Sequence, residues 1–119
     1  MAREEAFKLL FQNEMNKQVE QHYQNNFIEQ LVNGVSEQQE QIDQIIEKYL
    51  INWTIDRISL VDKIILRIAL YEILSIEDIP HAVSINEAIE LAHKYGDEKS
   101  SKFINGILSK IIKKGDIIR

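Results

Sequence analysis

Three observations predict an all-α fold in a single domain over residues 1–119. The first is the stretch at residues 60–74, LVDKIILRIALYEIL, in which eleven of fifteen residues are apolar and neither Gly nor Pro occurs. On a helix its apolar positions run nearly all the way round, and such a helix is buried by neighbours on every side. The second is apolar spacing of three and four through most of the rest of the chain, the helical period. The third is composition: one Pro, four Gly and no Cys, so disulfides and thiolate metal sites are excluded.

The elements follow in order. Residues 3–16 read as an amphipathic helix, with Ala6, Leu9 and Leu10 on one face, Phe7 and Met15 near it and Phe11 extending it. Residues 16–25 are polar and without a clear period, a connector with room for one short turn. Phe27, Ile28, Leu31, Val32 and Val35 set a second helix from about residue 25 to 35, with Gly34 near its end. Ser36-Glu37-Gln38-Gln39 resembles a capping box opening a third, whose face is Ile42, Ile45, Ile46, Tyr49 and Leu50. Residues 52–59 are a tight link in which Trp53 plugs a core edge.

The central helix starts at a capping box formed by Ser59 and Asp62. Strand is the rival reading for this Ile-rich stretch, but fifteen unbroken residues with Leu, Ala, Arg and Glu favour helix. Its buried charges, Arg67 and Glu72, are five apart and do not face each other on one helix. Each is expected to pair with another element of the core. Pro80 marks a break, because the residue before a proline is pushed out of the helical region. Ser84 and Glu87 then form a capping box, with Val83 and Ala88 as its hydrophobic staple, for a helix over residues 85–95 that stops at Gly96. Asp97 can cap a last helix carrying Phe103, Ile104, Ile107, Leu108, Ile111 and Ile112. Gly106 lies inside it, where close packing on another helix would account for a glycine. Residues 115–119 are expected to fray. The sum is six main helices, or seven if the connector holds a short one.

The chemistry is sparse. There is no phosphate-binding Gly loop and no nucleophile elbow. Glu90-Leu-Ala-His93 has the spacing of half a di-iron carboxylate site, but that site needs the motif twice and two further glutamates. It occurs once, so neither a metal nor an enzyme is expected. No apolar run approaches the ~20 residues of a membrane span, and the N-terminus lacks a signal-peptide layout. A soluble cytoplasmic protein is the expectation.

Charge is asymmetric. Residues 1–98 hold 8 Lys+Arg against 18 Asp+Glu, while residues 99–119 hold 6 against one. A basic terminal segment on an acidic body can attract RNA or another polyanion. The alternative is that these lysines complement the negative end of a helix dipole.

The sequence resembles the NusB family of transcription antitermination factors. The resemblance is carried by Trp53-Thr54-Ile55-Asp56-Arg57-Ile58, by the run from Asp62 to Ile73 (DKIILRIALYEI), and by Asp78-Ile79-Pro80. It continues through the run from Ser84 to Ala92 (SINEAIELA) and Lys102-Phe103-Ile104-Asn105-Gly106-Ile107-Leu108. Ala2-Arg3-Glu4, Ala6 and Leu10-Phe11-Gln12 also fit. It implies two small helical bundles packed together. It further implies a factor that binds NusE, also a small-subunit ribosomal protein. Together the two hold boxA RNA in ribosomal transcripts and act in the transcription elongation complex. By resemblance, Asp62 belongs to the NusE-facing surface, Phe103 lies on the RNA side, and Arg3 belongs to a basic N-terminal arm that touches RNA. The family usually has several basic residues ahead of that stretch, where this sequence has only Met1, and the region around residues 16–25 is short.

Lys99, Lys102 and Phe103 cluster at the first turns of the last helix, where helix N-termini and lysines favour phosphates. The plain alternatives are a core aromatic for Phe103 and a helix cap for Asp62. No cofactor is implied, and either a monomer or a homodimer fits. Two other functions fit a helical domain of this kind: an accessory to an RNA cytosine methyltransferase, which requires a catalytic domain after it, and a dimerisation module with no RNA role.

Overall fold

Helix α3 (Leu60–Ser75) is the hub. It touches all four other helices: α1 (Ala2–Met15), α2 (Asn26–Lys48), α4 (His81–Tyr95) and α5 (Ser100–Lys113). This computed structural model describes residues 2–15, 23–51 and 54–114. Among them there is no strand, and one 3-10 turn (Ile55–Arg57) precedes α3. Helices α1, α2 and α3 pack together, as do α3, α4 and α5. The two three-helix bundles therefore share their central member.

The residues of α3 explain that position. Every one of its residues from Ile64 to Ile73 is buried, including Arg67 and Glu72. The Ser59 hydroxyl accepts the Asp62 N–H at 3.1 Å, so the expected cap is present. Both buried charges pair with other helices. Arg67 Nε and Nη2 donate to the two Asp43 oxygens of α2 at 2.8 Å each. Arg3 of α1 makes the same fork onto Glu72, again at 2.8 Å twice. Planar forks of this kind satisfy both carboxylate oxygens at once.

Four expectations are corrected. The helices expected on either side of Gly34 are one continuous helix, so the described residues hold five helices rather than six or seven. Gly34 does not end α2; it is buried against α3, and a Cβ built there would run into the Tyr71 ring. Packing thus outweighs the glycine's poor helix propensity. Ser36 opens nothing: its hydroxyl donates back to the Val32 carbonyl at 2.9 Å. Helix α4 begins at His81, directly after Pro80, rather than at residue 85. Ser84 is therefore no cap. It is buried and donates its hydroxyl to Glu72 Oε1 at 2.9 Å, while Val83 is exposed and staples nothing.

The fourth correction is Gly106. It is exposed, and a Cβ added to it would meet nothing within 4 Å, so no described helix packs against it. Gly96 does end α4, with its N–H on the Ala92 carbonyl at 2.9 Å. Asp97 closes the turn before α5 by accepting the Lys99 N–H at 2.8 Å and the Ser100 hydroxyl at 3.2 Å. The expectations for Trp53, for residues 16–22 of the connector and for residues 115–119 lie outside the described residues.

Leu66→Ala and Ile68→Ala remove fully buried side chains and should each cost about 2–5 kcal/mol of stability. Denaturant unfolding checks this, and losses below about 0.5 kcal/mol at both sites would contradict a buried α3. Gly34→Ala should destabilise by about 1–3 kcal/mol, the usual overpacking range, although alanine is the better helix former. A gain in stability would mean that Tyr71 moves aside freely.

Candidate functional site

The first turn of α5 is built by a reciprocal pair. Asp97 N–H donates to Ser100 Oγ at 3.0 Å and the Ser100 hydroxyl donates back to Asp97 Oδ1. This sharp turn brings the start of α5 against the start of α3. Arg57, Ser59, Asp62, Asp97, Lys99 and Phe103 line the resulting pocket of about 340 Å³. Asp62 thus shares one site with Lys99 and Phe103, which follow it about forty residues later in the chain. Lys102 is exposed on the neighbouring face of α5, beside a second groove that Phe103 also lines. Phe103 is half-buried against the core, intermediate between the two readings of it: it is anchored by the core and borders both hollows.

Asp62 is unusual within this pocket. Its Oδ1 is buried and, among the described residues, finds no hydrogen-bond donor. Burial pushes its carboxyl above the usual range, and nearby Asp97 adds to the shift, while the Ser100 and Ser59 hydroxyls act against it. Ser100 is itself buried. Its single proton is shared between the Asp97 and Asp62 carboxylates, and Asp62 Oδ1 is left without a donor.

Arg3 lies elsewhere. Besides its fork onto Glu72, its Nη1 is 3.7 Å from Glu87, and its guanidinium lies over the Phe27 ring at 5.4 Å. The hydrogen bonds to Glu72 hold Arg3 protonated more firmly than usual, against the effect of burial. Beside it Glu4 accepts from Lys94 at 2.7 Å and from the Tyr95 hydroxyl. These two bonds, Lys94 first, hold the Glu4 carboxyl down to about 2. Arg3, Glu4, Glu87, Glu90, His93 and Lys94 share a hollow of about 340 Å³ with no residue in common with the Asp62 pocket. Glu90 and His93 are both exposed there, and among the described residues no three His, Cys, Asp or Glu side chains are placed to hold a metal ion.

Two features escaped the sequence reading. Phe7, Phe11 and Met15, four apart on α1, form a second apolar stripe. With Val61 and Tyr95 they line a groove of about 540 Å³. Phe7 stacks on Tyr95 with ring centroids 4.8 Å apart, and Met15 at the groove's end is 70% exposed. The four-residue spacing of Phe7, Phe11 and Met15 is the signal for this stripe, which lies beside the core face of Ala6 and Leu10. The other feature is the groove along α5 that Lys102, Phe103, Gly106 and Lys110 form with Tyr49 and Ile51 from the end of α2. It joins segments fifty residues apart in the chain, so spacing alone could not reveal it. No described helix is long and apolar enough to cross a membrane.

The NusB family profile matches residues 1–113. The transcription antitermination protein NusB of Bacillus subtilis (strain 168) is 50% identical over 125 residues, covering 98% of this chain and 94% of that one. The Oceanobacillus iheyensis protein of the same name is 50% identical over 120 residues, covering 93% and 95%. Among solved structures, T. maritima NusB superposes with a TM-score of 0.84 at 39% identity, over 95% of this chain and 89% of that one. A structure of the antitermination factors NusB and NusE in complex with double-stranded RNA gives 0.81 at 29% identity, over 95% and 94%. By sequence over nearly its whole length and by fold, the chain belongs to the NusB family.

Proposed function

We propose that this chain is a transcription antitermination factor that binds a NusE-type ribosomal protein through the Asp62 side and boxA RNA through the start of α5. It is a binding factor and not an enzyme, and it works in the cytoplasm on the transcription elongation complex. The observation that carries the reading is the pocket shared by Asp62, Lys99 and Phe103. A protein seated on Asp62 and an RNA strand on Lys99 and Phe103 would meet at that pocket, so each would complete the other's site. The buried, unanswered Asp62 oxygen supports a partner that supplies a donor, since a buried acceptor without one is costly. The apolar groove of Phe7, Phe11 and Met15 reaches Val61, next to Asp62 in the chain, and extends the same protein-binding side.

For RNA, Lys99 and Lys102 offer charge and the accessible part of Phe103 offers a stacking face. Arg3 fits this role less directly: its charge is already matched by Glu72 and Glu87, so it supports the fold that presents α5. The chain alone therefore binds RNA weakly, and with its protein partner more tightly.

Asp62→Lys should abolish or strongly weaken capture of the NusE-type protein, because it sets like charges against each other, with an unchanged far-ultraviolet spectrum. Calorimetry showing equal affinity would remove Asp62 from the interface. The raised carboxyl has a further consequence. Its stabilising share is complete below the unfolded value of about 4 and is lost as pH rises through its higher folded value. Asp62→Asn should therefore gain on wild type as pH rises from about 4, and denaturation of both across that range checks the sign.

In the complex with NusE, Phe103→Ala should cost about 1–3 kcal/mol of boxA RNA binding, the range for losing a stacked base. Lys99→Ala should flatten the salt dependence by about 0.7 in log–log slope, one single-strand phosphate contact. If Phe103 acts only in the core, its variant melts earlier while the folded complex binds RNA unchanged. Measuring both quantities on one variant separates the cases.

A further inference from the structure

Among the described residues nothing accounts for a glycine at position 106. It sits in the middle of α5, its added Cβ would meet nothing within 4 Å, and no left-handed backbone angle accompanies it. A glycine inside a helix is less stable than alanine there, and among the described residues no packing offsets the loss. The space above it is nevertheless a formed groove of about 300 Å³. Tyr49 and Ile51 make one wall. On α5, Phe103 stands one turn before the glycine, and Lys102 and Lys110 stand one turn to either side of it. Residues 102, 106 and 110 form a single stripe, with the two lysines about 12 Å apart along the axis. From residue 99 to 114 the sequence holds five lysines and no acid.

We propose that Gly106 is the point where a single strand of RNA crosses α5 in direct contact with the helix backbone. This rests on the RNA-binding reading above and extends it past Phe103. Without a Cβ, the helix surface between the two lysines is lowered by about one carbon–carbon bond, roughly 1.5 Å. A sugar–phosphate segment can then settle onto the helix with Lys102 and Lys110 on either side, while an adjacent base lies toward Phe103. A helix that carries lysines and no acid complements a polyanion, and aromatic faces accept bases of any sequence. RNA is favoured over a protein segment as the occupant because a lysine stands on either side of Gly106 in the groove and, among the described residues, no acid lines it.

The test uses the full chain with its NusE-type partner and a single-stranded boxA RNA, comparing wild type, Gly106→Ala and a control, Ser109→Ala, on the same helix outside the groove. Gly106→Ala should raise the melting temperature by about 2–6 °C, the scale of a relieved helix glycine. It should weaken RNA binding by about tenfold or more, as an unrelieved methyl clash does, and leave the affinity for the protein partner unchanged. A variant that is more stable yet loses RNA is the expected result, because a merely structural glycine could not separate the two. RNA affinity within about twofold of wild type overturns the proposal. So does a loss of partner affinity in place of RNA affinity, which would assign the groove to protein, or a fall in melting temperature. Failure of the wild-type complex to bind RNA at all overturns the RNA-binding reading as well, and is thereby distinguished.

Discussion

From Ile64 to Ile73 helix α3 has no solvent face, yet that stretch carries two charges. An unpaired buried charge is strongly destabilising, so each must be met by a helix that could not otherwise be in place. Arg67 requires Asp43 of α2. Glu72 requires Arg3 of α1 and also takes the hydroxyl of Ser84 from α4. Three of the four surrounding helices are thus registered against α3 by directional polar contacts, and apolar packing fills the remainder. A fold built only from Leu and Ile contacts could slide by a turn; the two planar forks do not permit it.

That registration is what positions the binding surfaces. With α4 held by Ser84 on Glu72, the turn at Gly96 and Asp97 returns the chain to the head of α3. Ser100, Asp62 and Asp97 then crowd into one small polar cluster. Phe103 follows one turn later, held against the core on one side and open on the other. The protein-binding and RNA-binding readings therefore depend on the same joint between α3 and α5. A disturbance at Ser100 or Asp97 would reach both.

The two helical glycines show how differently one residue type can be used. Gly34 is buried so that Tyr71 of α3 can approach α2. Gly106 faces outward with open space above it. In sequence they look alike, each a glycine among apolar residues at helical spacing. Only the packing separates a glycine that admits the chain's own side chain from one that leaves room for something else.

Much was legible in the residues themselves. The length and all-round apolarity of residues 60–74 determined a buried central helix, because no other element can hide so many apolar side chains. The five-residue offset of Arg67 and Glu72 determined that they pair elsewhere. The Ser59 cap and the Gly96 stop were local effects and stood as read. The resemblance determined the family. Other features belonged to the tertiary structure. Gly34 reads as a helix end until Tyr71 packs on it. Ser84 reads as a cap until Glu72 takes its hydroxyl. Arg3 belongs by resemblance to an RNA-touching arm, and only the fold sets its charge against a buried carboxylate of α3. The shared pocket of Asp62, Lys99 and Phe103 was also beyond the sequence, since it exists only where two helix beginnings meet. Local signals follow from neighbours along the chain; each of these outcomes was decided by a side chain arriving from another helix.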